Sequence, residues 1–287
     1  MTKMPLRVLQ SSLILLLVGL EISIAENLRA APPGSAEKRV TTDVLQDSTV
    51  LEPPALEELL SVRERFVYSV RYSFLNLGEI EVELLPDTTW RGEEVMHIRT
   101  VMKSGSRIPF VGERHVHYET YFFHDGEQLF AHRFWRDDLH DDEPERTVIE
   151  FDRQRDLVYF FDRGEPQDTL DLIEPASGGD LIFYFARLFA GLEEPYDIPV
   201  YIDDELGFVT ASSGPETETR SYDAFPEPVE TFYSEGNADI DGPFGFSGRF
   251  KSWFTADELR IPVEAHVRVM FGNVRIRLIS YEQSEPR

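Results

Sequence analysis

The sequence predicts an all-β domain with one buried helix, arranged as a large antiparallel curved sheet that is half-barrel or barrel-like. Three observations predict it. Apolar and polar residues alternate along much of the chain, turn-forming residues interrupt the alternation at short spacing, and a single segment is apolar on most sides. Successive side chains of a strand point to opposite faces, so such alternation marks a surface half buried and half wet. Many short strands punctuated by turns form a sheet that curls or closes. No fixed repeat length occurs, which argues against a propeller or solenoid.

The first residues read as a cleaved secretory signal over 1–25. Lys3 and Arg7 form a positive start, Leu13–Val18 a short apolar core, and Ser23-Ile24-Ala25 a small-residue cleavage site. Glu21 interrupts the run before it reaches the roughly 20 apolar residues of a spanning helix, and no later stretch is long and apolar enough. Residues 26–60 are rich in Ala, Pro, Ser, Thr, Asp and Glu without an apolar period, and read as a flexible leader in which Leu56–Leu60 forms one helical turn. The β-rich domain then covers 61–284.

Its first strand places Phe66, Tyr68, Val70, Tyr72 and Phe74 on one face. Asn76-Leu77-Gly78-Glu79 is the expected turn, after which Ile80, Val82 and Leu84 resume the alternation as the second arm of a hairpin. Further strands are expected at Glu94–Lys103, His115–His124, Gln128–Trp135, Arg146–Phe151 and Leu157–Phe161. Asp125-Gly126 is the clearest two-residue hairpin signal, because both residues tolerate positive φ. Pro199–Asp203, Phe208–Ala211, Val229–Ser234 and Ser247–Phe254 follow. The last hairpin alternates from Ile261 to Phe271, turns at Gly272-Asn273 and alternates again through Val274, Ile276 and Leu278. Arg268, Arg275 and Arg277 lie on its opposite face, where Glu264 can offset them.

Asp180–Gly191 breaks this rhythm. Asp180 suits a helix cap, Gly191 a C-terminal stop, and Arg187 the last turn, so a largely buried helix packed on the sheet is expected.

Composition narrows the function classes. The net charge of −25 predicts a surface that repels DNA, RNA and anionic lipid headgroups. The absence of cysteine excludes lipoprotein anchoring, disulfides and thiolate metal sites. Export therefore points to the periplasm.

The stretch Gly248–Val263, with Trp253, Asp257, Arg260 and Pro262, resembles the closing motif of the exported bacterial family DUF3108. That motif is a Trp, then Asp and Arg, Pro-Val, a strand, a Gly turn and a last strand. Tyr72–Glu79, with Gly78, is similar to the family's first hairpin, and Leu181–Leu192 falls at its one apolar helix. The resemblance covers Arg65 to Tyr281 and implies an exported β fold with no assigned activity. The acidic stretch Ser212–Gly248 is longer than the family's linker. A plain structural role for the motif is that Trp253 anchors the core, Asp257 and Arg260 pin the turn by a charge-assisted hydrogen bond, and Pro262 starts a strand where no donor is needed.

Candidate chemistry is sparse. His115, His117 and Glu119 share one face of a strand, and pairing brings His97 alongside; imidazole and carboxylate suit zinc. The alternative is an outward polar face opposite Val116, Tyr118, Thr120 and Phe122. Asn237–Gly242 matches the start of a calcium loop, but the closing glutamate position is Gly248 and Pro243 follows. Asp137–Glu143 is an acidic cluster that suits a cation or a solvated hairpin loop. Nucleophile-elbow, zincin and phosphate-loop motifs are absent. The expected function is non-catalytic and without a required cofactor. A binding or envelope-assembly accessory protein would hold an acyl or other apolar ligand, or an envelope protein, against an aromatic face of Phe66, Tyr68, Tyr72, Phe74, Tyr121, Phe123 and the Phe183–Phe189 helix. The alternative is an enzyme acting on envelope glycan or lipid with a metal at His115 and His117.

Overall fold

The backbone N–H and C=O groups of a strand point to its two edges and need partners there, and the chain supplies them by running as two meanders, one out from and one in to the centre of a single sheet. A computed structural model describes residues 52, 54–105, 113–139, 145–240, 247–269 and 272–286, all within the compact unit Thr49–Arg287. The expected signal over 1–25 and most of the expected leader over 26–60 lie outside the described residues. Helix α1 (Leu56–Leu60) precedes β1 (Val62–Tyr72), β2 (Leu75–Trp90), β3 (Glu93–Ser104), β4 (Arg114–His124), β5 (Leu129–Asp138), β6 (Glu145–Asp152), β7 (Leu157–Asp162) and β8 (Glu165–Asp171). Helix α2 (Ile182–Phe189) then leads to β9 (Tyr196–Ile202), β10 (Glu205–Arg220), β11 (Val229–Ala238), β12 (Gly248–Thr255), β13 (Pro262–Val269) and β14 (Gly272–Pro286).

These fourteen strands make one antiparallel sheet in the order β8 to β1, then β14 to β9. The first and last strands thus pair at its middle, with Phe66 opposite Tyr281 and Val70 opposite Ile276. The edges β8 and β9 form no ladder with each other, so the sheet is not closed. The connection between them spans the gap. Ser177 bridges Val200 in parallel, and Tyr201 Oη donates to the Asp171 carbonyl at 2.7 Å while accepting from the Ile173 amide at 2.9 Å.

Most expected strands are present within a few residues. Strand β8 was not expected: Glu165-Pro166-Gln167-Asp168 lacks apolar alternation, and an edge position tolerates its proline and polarity. Of the acidic stretch Ser212–Gly248, the residues up to Arg220 continue β10 beyond the strand expected at Phe208–Ala211, and β11 extends the strand expected at Val229–Ser234 to Ala238, with Arg220 paired to Val229.

Three turns differ from expectation. The first reversal falls at Ser73-Phe74, with Tyr72 opposite Leu75 and Ser73 at φ 53°. Gly78 lies within β2 beside an irregularity at Val70/Arg71, and a Cβ there would sit 2.0 Å from the Lys103 carbonyl oxygen. The second reversal centres on Gly126-Glu127, where Gly126 takes φ 100° and the Asp125 carboxylate accepts from the Glu127 and Gln128 amides at 2.9 Å each. Gly272 and Asn273, expected as the last turn, are instead strand residues opposite Val269 and Arg268.

Leu56, Leu59 and Leu60 of α1 are buried, so the packed core begins there. Helix α2 lies on the inner face, its Phe183 ring edge-on to Phe66 at 4.8 Å. Asp180 does not cap it: Leu181 holds the cap position without a side-chain bond. Gly191 follows the helix at φ 82°.

Arg187 fixes the helix to the sheet. It is fully buried and forms a bidentate pair with buried Glu64 of β1, at 2.6 and 3.1 Å. Tyr281 of β14 and Tyr184 of α2 donate to the same carboxylate at 2.7 and 3.2 Å. Arg187 Nε donates to the Leu259 carbonyl at 2.9 Å. Burial alone would favour a neutral guanidine, but the Glu64 charge and hydrogen bonds outweigh it and raise the Arg187 pKa. Removing one partner strands a buried charge, so Arg187→Met is expected to cost about 3–5 kcal/mol in urea unfolding. Adding Glu64→Gln to that variant should recover part of the loss. A single-variant cost below about 1 kcal/mol would show that the pair is not holding the helix.

Candidate functional site

Where α2 meets the inner face, the side chains leave a groove of about 450 Å³. Tyr68, Val82, Met102 and Phe183 form part of its wall, and Phe250, Val267 and Ile276 come from the C-terminal strands. The lining follows from period two, because β1–β3 and β12–β14 all turn their apolar parity towards the helix. Its volume falls within the range of small-molecule sites, which pair apolar walls with few polar groups.

Asp180 is the most unusual of the polar groups. It is buried, and its Oδ1 accepts a hydrogen bond from Thr120 of β4. Oδ2 has no partner among the described residues. Burial pushes the carboxyl up to about 8, against the opposing pull of Thr120 and backbone hydrogen bonds. Near neutrality it is mainly protonated and able to donate. Thr120 and Asp180 escaped sequence reading because one occupies an apolar parity and the other precedes an apolar run, where capping is the commoner role.

The candidate metal ligands divide into two pairs. His115 and His117 lie together on the outer face of β4, their Nε2 atoms 3.0 Å apart. Glu119 pairs instead with His97 at 2.6 Å. Burial, then the neighbouring His115, lowers the His117 pKa. No group of three metal-capable side chains occurs among the described residues. The calcium-like string begins inside β11, where Asn237 pairs with Thr210 of β10 and Ile240 is buried; Asp241 to Pro243 lie outside the described residues. Asp137 is a β5 residue holding Arg146 at 2.5 and 2.6 Å, and Asp138 lies 3.5 Å from Arg136. His140–Glu143 lie outside the described residues.

The expected aromatic face divides. Phe66 and Tyr68 are buried and Tyr72 is half-buried, but Phe74 is 81 % exposed at the turn. Tyr121 and Phe123 share the outer parity of His115, whereas Tyr118 and Phe122 face inward.

Residues 67–279 match the family model described as "Protein of unknown function (DUF3108)". The chain belongs to the DUF3108 family. No curated protein matches it. Among solved structures it is similar to a β-barrel-like protein of the domain of unknown function DUF1849 from Brucella abortus. That similarity has 14 % identity, covers 78 % of this chain and 98 % of that one, and has a TM-score of 0.49.

The closing residues of this DUF3108 chain are strand and turn supports. Trp253 is buried, its Nε1 donating to Glu218 and the Arg220 guanidinium lying 4.3 Å from its ring centroid. Asp257 pins the turn differently from expectation. Its carboxylate accepts from the Leu259 and Arg260 amides at 3.0 Å each and from Thr255 Oγ1 at 2.7 Å. The Arg260 guanidinium instead donates to the Leu188 carbonyl at the end of α2 and to that of Glu52. Pro262 opens β13, and its carbonyl accepts from Tyr68 Oη at 2.8 Å. Glu264 faces Arg277 in register, but its carboxylate bonds Arg220 and His266 at 2.9 and 2.7 Å.

Asp180 gives a pH prediction. The folded carboxyl holds its proton up to about 8, whereas the unfolded one releases it near 3.8. Between those values the native state binds more protons, so stability falls as pH rises through that window. Urea midpoints at about pH 5 and about pH 8 should show a smaller fall in Asp180→Asn than in the parent. An unchanged slope would place the titration elsewhere.

Proposed function

We propose that this DUF3108 protein is an exported, non-catalytic binding protein that holds an apolar ligand, such as an acyl chain, between α2 and the curved sheet. The groove carries the reading. Its walls offer apolar area to a chain, and the Asp180 carboxyl offers a hydrogen bond where that chain ends in a polar group. Export is supported by Lys3, Arg7, the Leu13–Val18 run and the small residues at Ser23–Ala25.

Native mass spectrometry of protein purified from membranes tests it. A bound species of lipid mass is expected on the parent chain and is expected to be lost on Ala186→Trp, which fills the groove from α2. Unfolding of the variant would be followed in parallel. A bare polypeptide mass from membrane-derived material, or an adduct indifferent to Ala186→Trp, would overturn the assignment.

A further inference from the structure

The molecule is acidic overall, yet one outer face gathers cations. Register places Arg71 of β1 opposite Arg275 of β14, Arg275 opposite His266 of β13, and His266 opposite Lys251 of β12. This row crosses four strands. Arg268, opposite Asn273, and Arg249, opposite Asn237, extend it towards the hairpin end. Arg71, Arg249, Lys251 and Arg268 are exposed. Among the described residues, Arg71, Arg249, Arg268 and Arg275 have no acidic partner. Glu235, opposite Lys251, instead accepts from Tyr233 Oη at 2.8 Å. Arg249, Lys251, His266 and Arg268 line a broad groove of about 1170 Å³. Like charges directly opposite each other destabilise a sheet, unless a counter-charge covers them.

A second observation lies just beyond Arg71. Phe74 is 81 % exposed and Leu75 39 % exposed at the β1–β2 reversal. The other exposed large apolar residue among those described is Ile173. A soluble polyanion would use the cations and leave this tip wet. A bilayer presents anionic headgroups above an apolar layer and would use both. The antiparallel order brings the β9–β10 hairpin to the same end, where exposed Asp203, Asp204 and Glu205 oppose an anionic surface. Contact is thereby restricted to the β12–β1 side.

We propose that the outer face of β12, β13, β14 and β1, together with the Phe74-Leu75 tip, docks this protein on an anionic lipid surface. The basic side chains meet headgroup phosphates, and Phe74 enters the interface beside them. The overall negative charge makes this docking weak, salt-sensitive and dependent on the patch. It does not require that the inner groove be filled.

Flotation of the purified protein with phosphatidylglycerol-rich vesicles, and with vesicles of phosphatidylcholine alone, tests the proposal. Binding is expected to the first only, and to be lost at high salt. Each basic residue removed should weaken it by about fivefold, so Lys251→Glu with Arg268→Glu should weaken it by at least about 25-fold. Phe74→Ser with Leu75→Ser should weaken it as well, since a purely electrostatic contact would ignore that change. Both variants alter exposed residues, and an unchanged unfolding midpoint would confirm that they fold. Lack of flotation by the parent, equal flotation with both vesicles, or charge-reversed protein that floats like the parent would overturn the proposal. So would displacement by inorganic phosphate with no effect of the Phe74 and Leu75 changes, which would assign the patch to soluble anions. The groove's occupant, read on the same variants by native mass spectrometry, separates failure of docking from failure of ligand binding.

Discussion

The Glu64–Arg187 pair is the constraint on which the arrangement of sheet and helix depends. An apolar helix lying on an apolar sheet has many positions of nearly equal energy, because hydrophobic burial is non-directional. A bidentate ion pair has one. Glu64 lies on β1 and Tyr281 on β14, the two strands that meet at the sheet centre. Arg187 also donates to the Leu259 carbonyl, in the turn leading to β13. The helix is therefore registered against both meanders at their junction. That fixed position leaves Phe183 and Ala186 facing the strands across a gap, and the gap is the groove.

The strands were legible because alternation is enforced residue by residue: any strand with one oily face must show it. The exceptions have distinct physical origins. Strand β8 has no oily face to show, since an edge strand needs only backbone partners on β7. Phe74 continues the parity of β1, but the reversal at Ser73-Phe74, with Ser73 at positive φ, turns the chain before Phe74 can pair, and parity alone does not reveal where pairing stops. Tyr121 and Phe123 are aromatic on the outer face, where Tyr121 has ring partners in His97 and Trp135 and Phe123 in Phe130 and His132, so aromatic character does not identify the inside.

The polar core was less legible, although a trace of it was present. Glu64 falls two residues before Phe66 and thus on the inward parity, a placement for an acid that demands a partner. The partner, Arg187, is 123 residues away, and one sequence gives no means of joining them. The His115, His117 and Glu119 triplet was correctly placed on one face, but same-face spacing does not set convergence. Glu119 finds a better neighbour in His97 across the strand. Arg260 followed the same rule: its side chain serves the end of α2, and the turn is held through backbone amides by Asp257.

Comparing the two buried carboxylates separates architecture from opportunity. Glu64 accepts from Arg187, Tyr184 and Tyr281, so its charge is covered from several directions. Asp180 accepts from Thr120 on Oδ1 but has no partner on Oδ2 among the described residues, and burial drives it towards the neutral acid. A buried polar atom without a partner costs on the order of 1–3 kcal/mol, which natural cores avoid. The saturated carboxylate sits at the helix-to-sheet junction, whereas the half-satisfied one sits on the wall of an apolar space. A ligand that brought a carbonyl or hydroxyl to Asp180 Oδ2 would remove that penalty and gain the apolar wall in the same step. This is the physical reason for looking for a ligand in the groove rather than at the histidines outside.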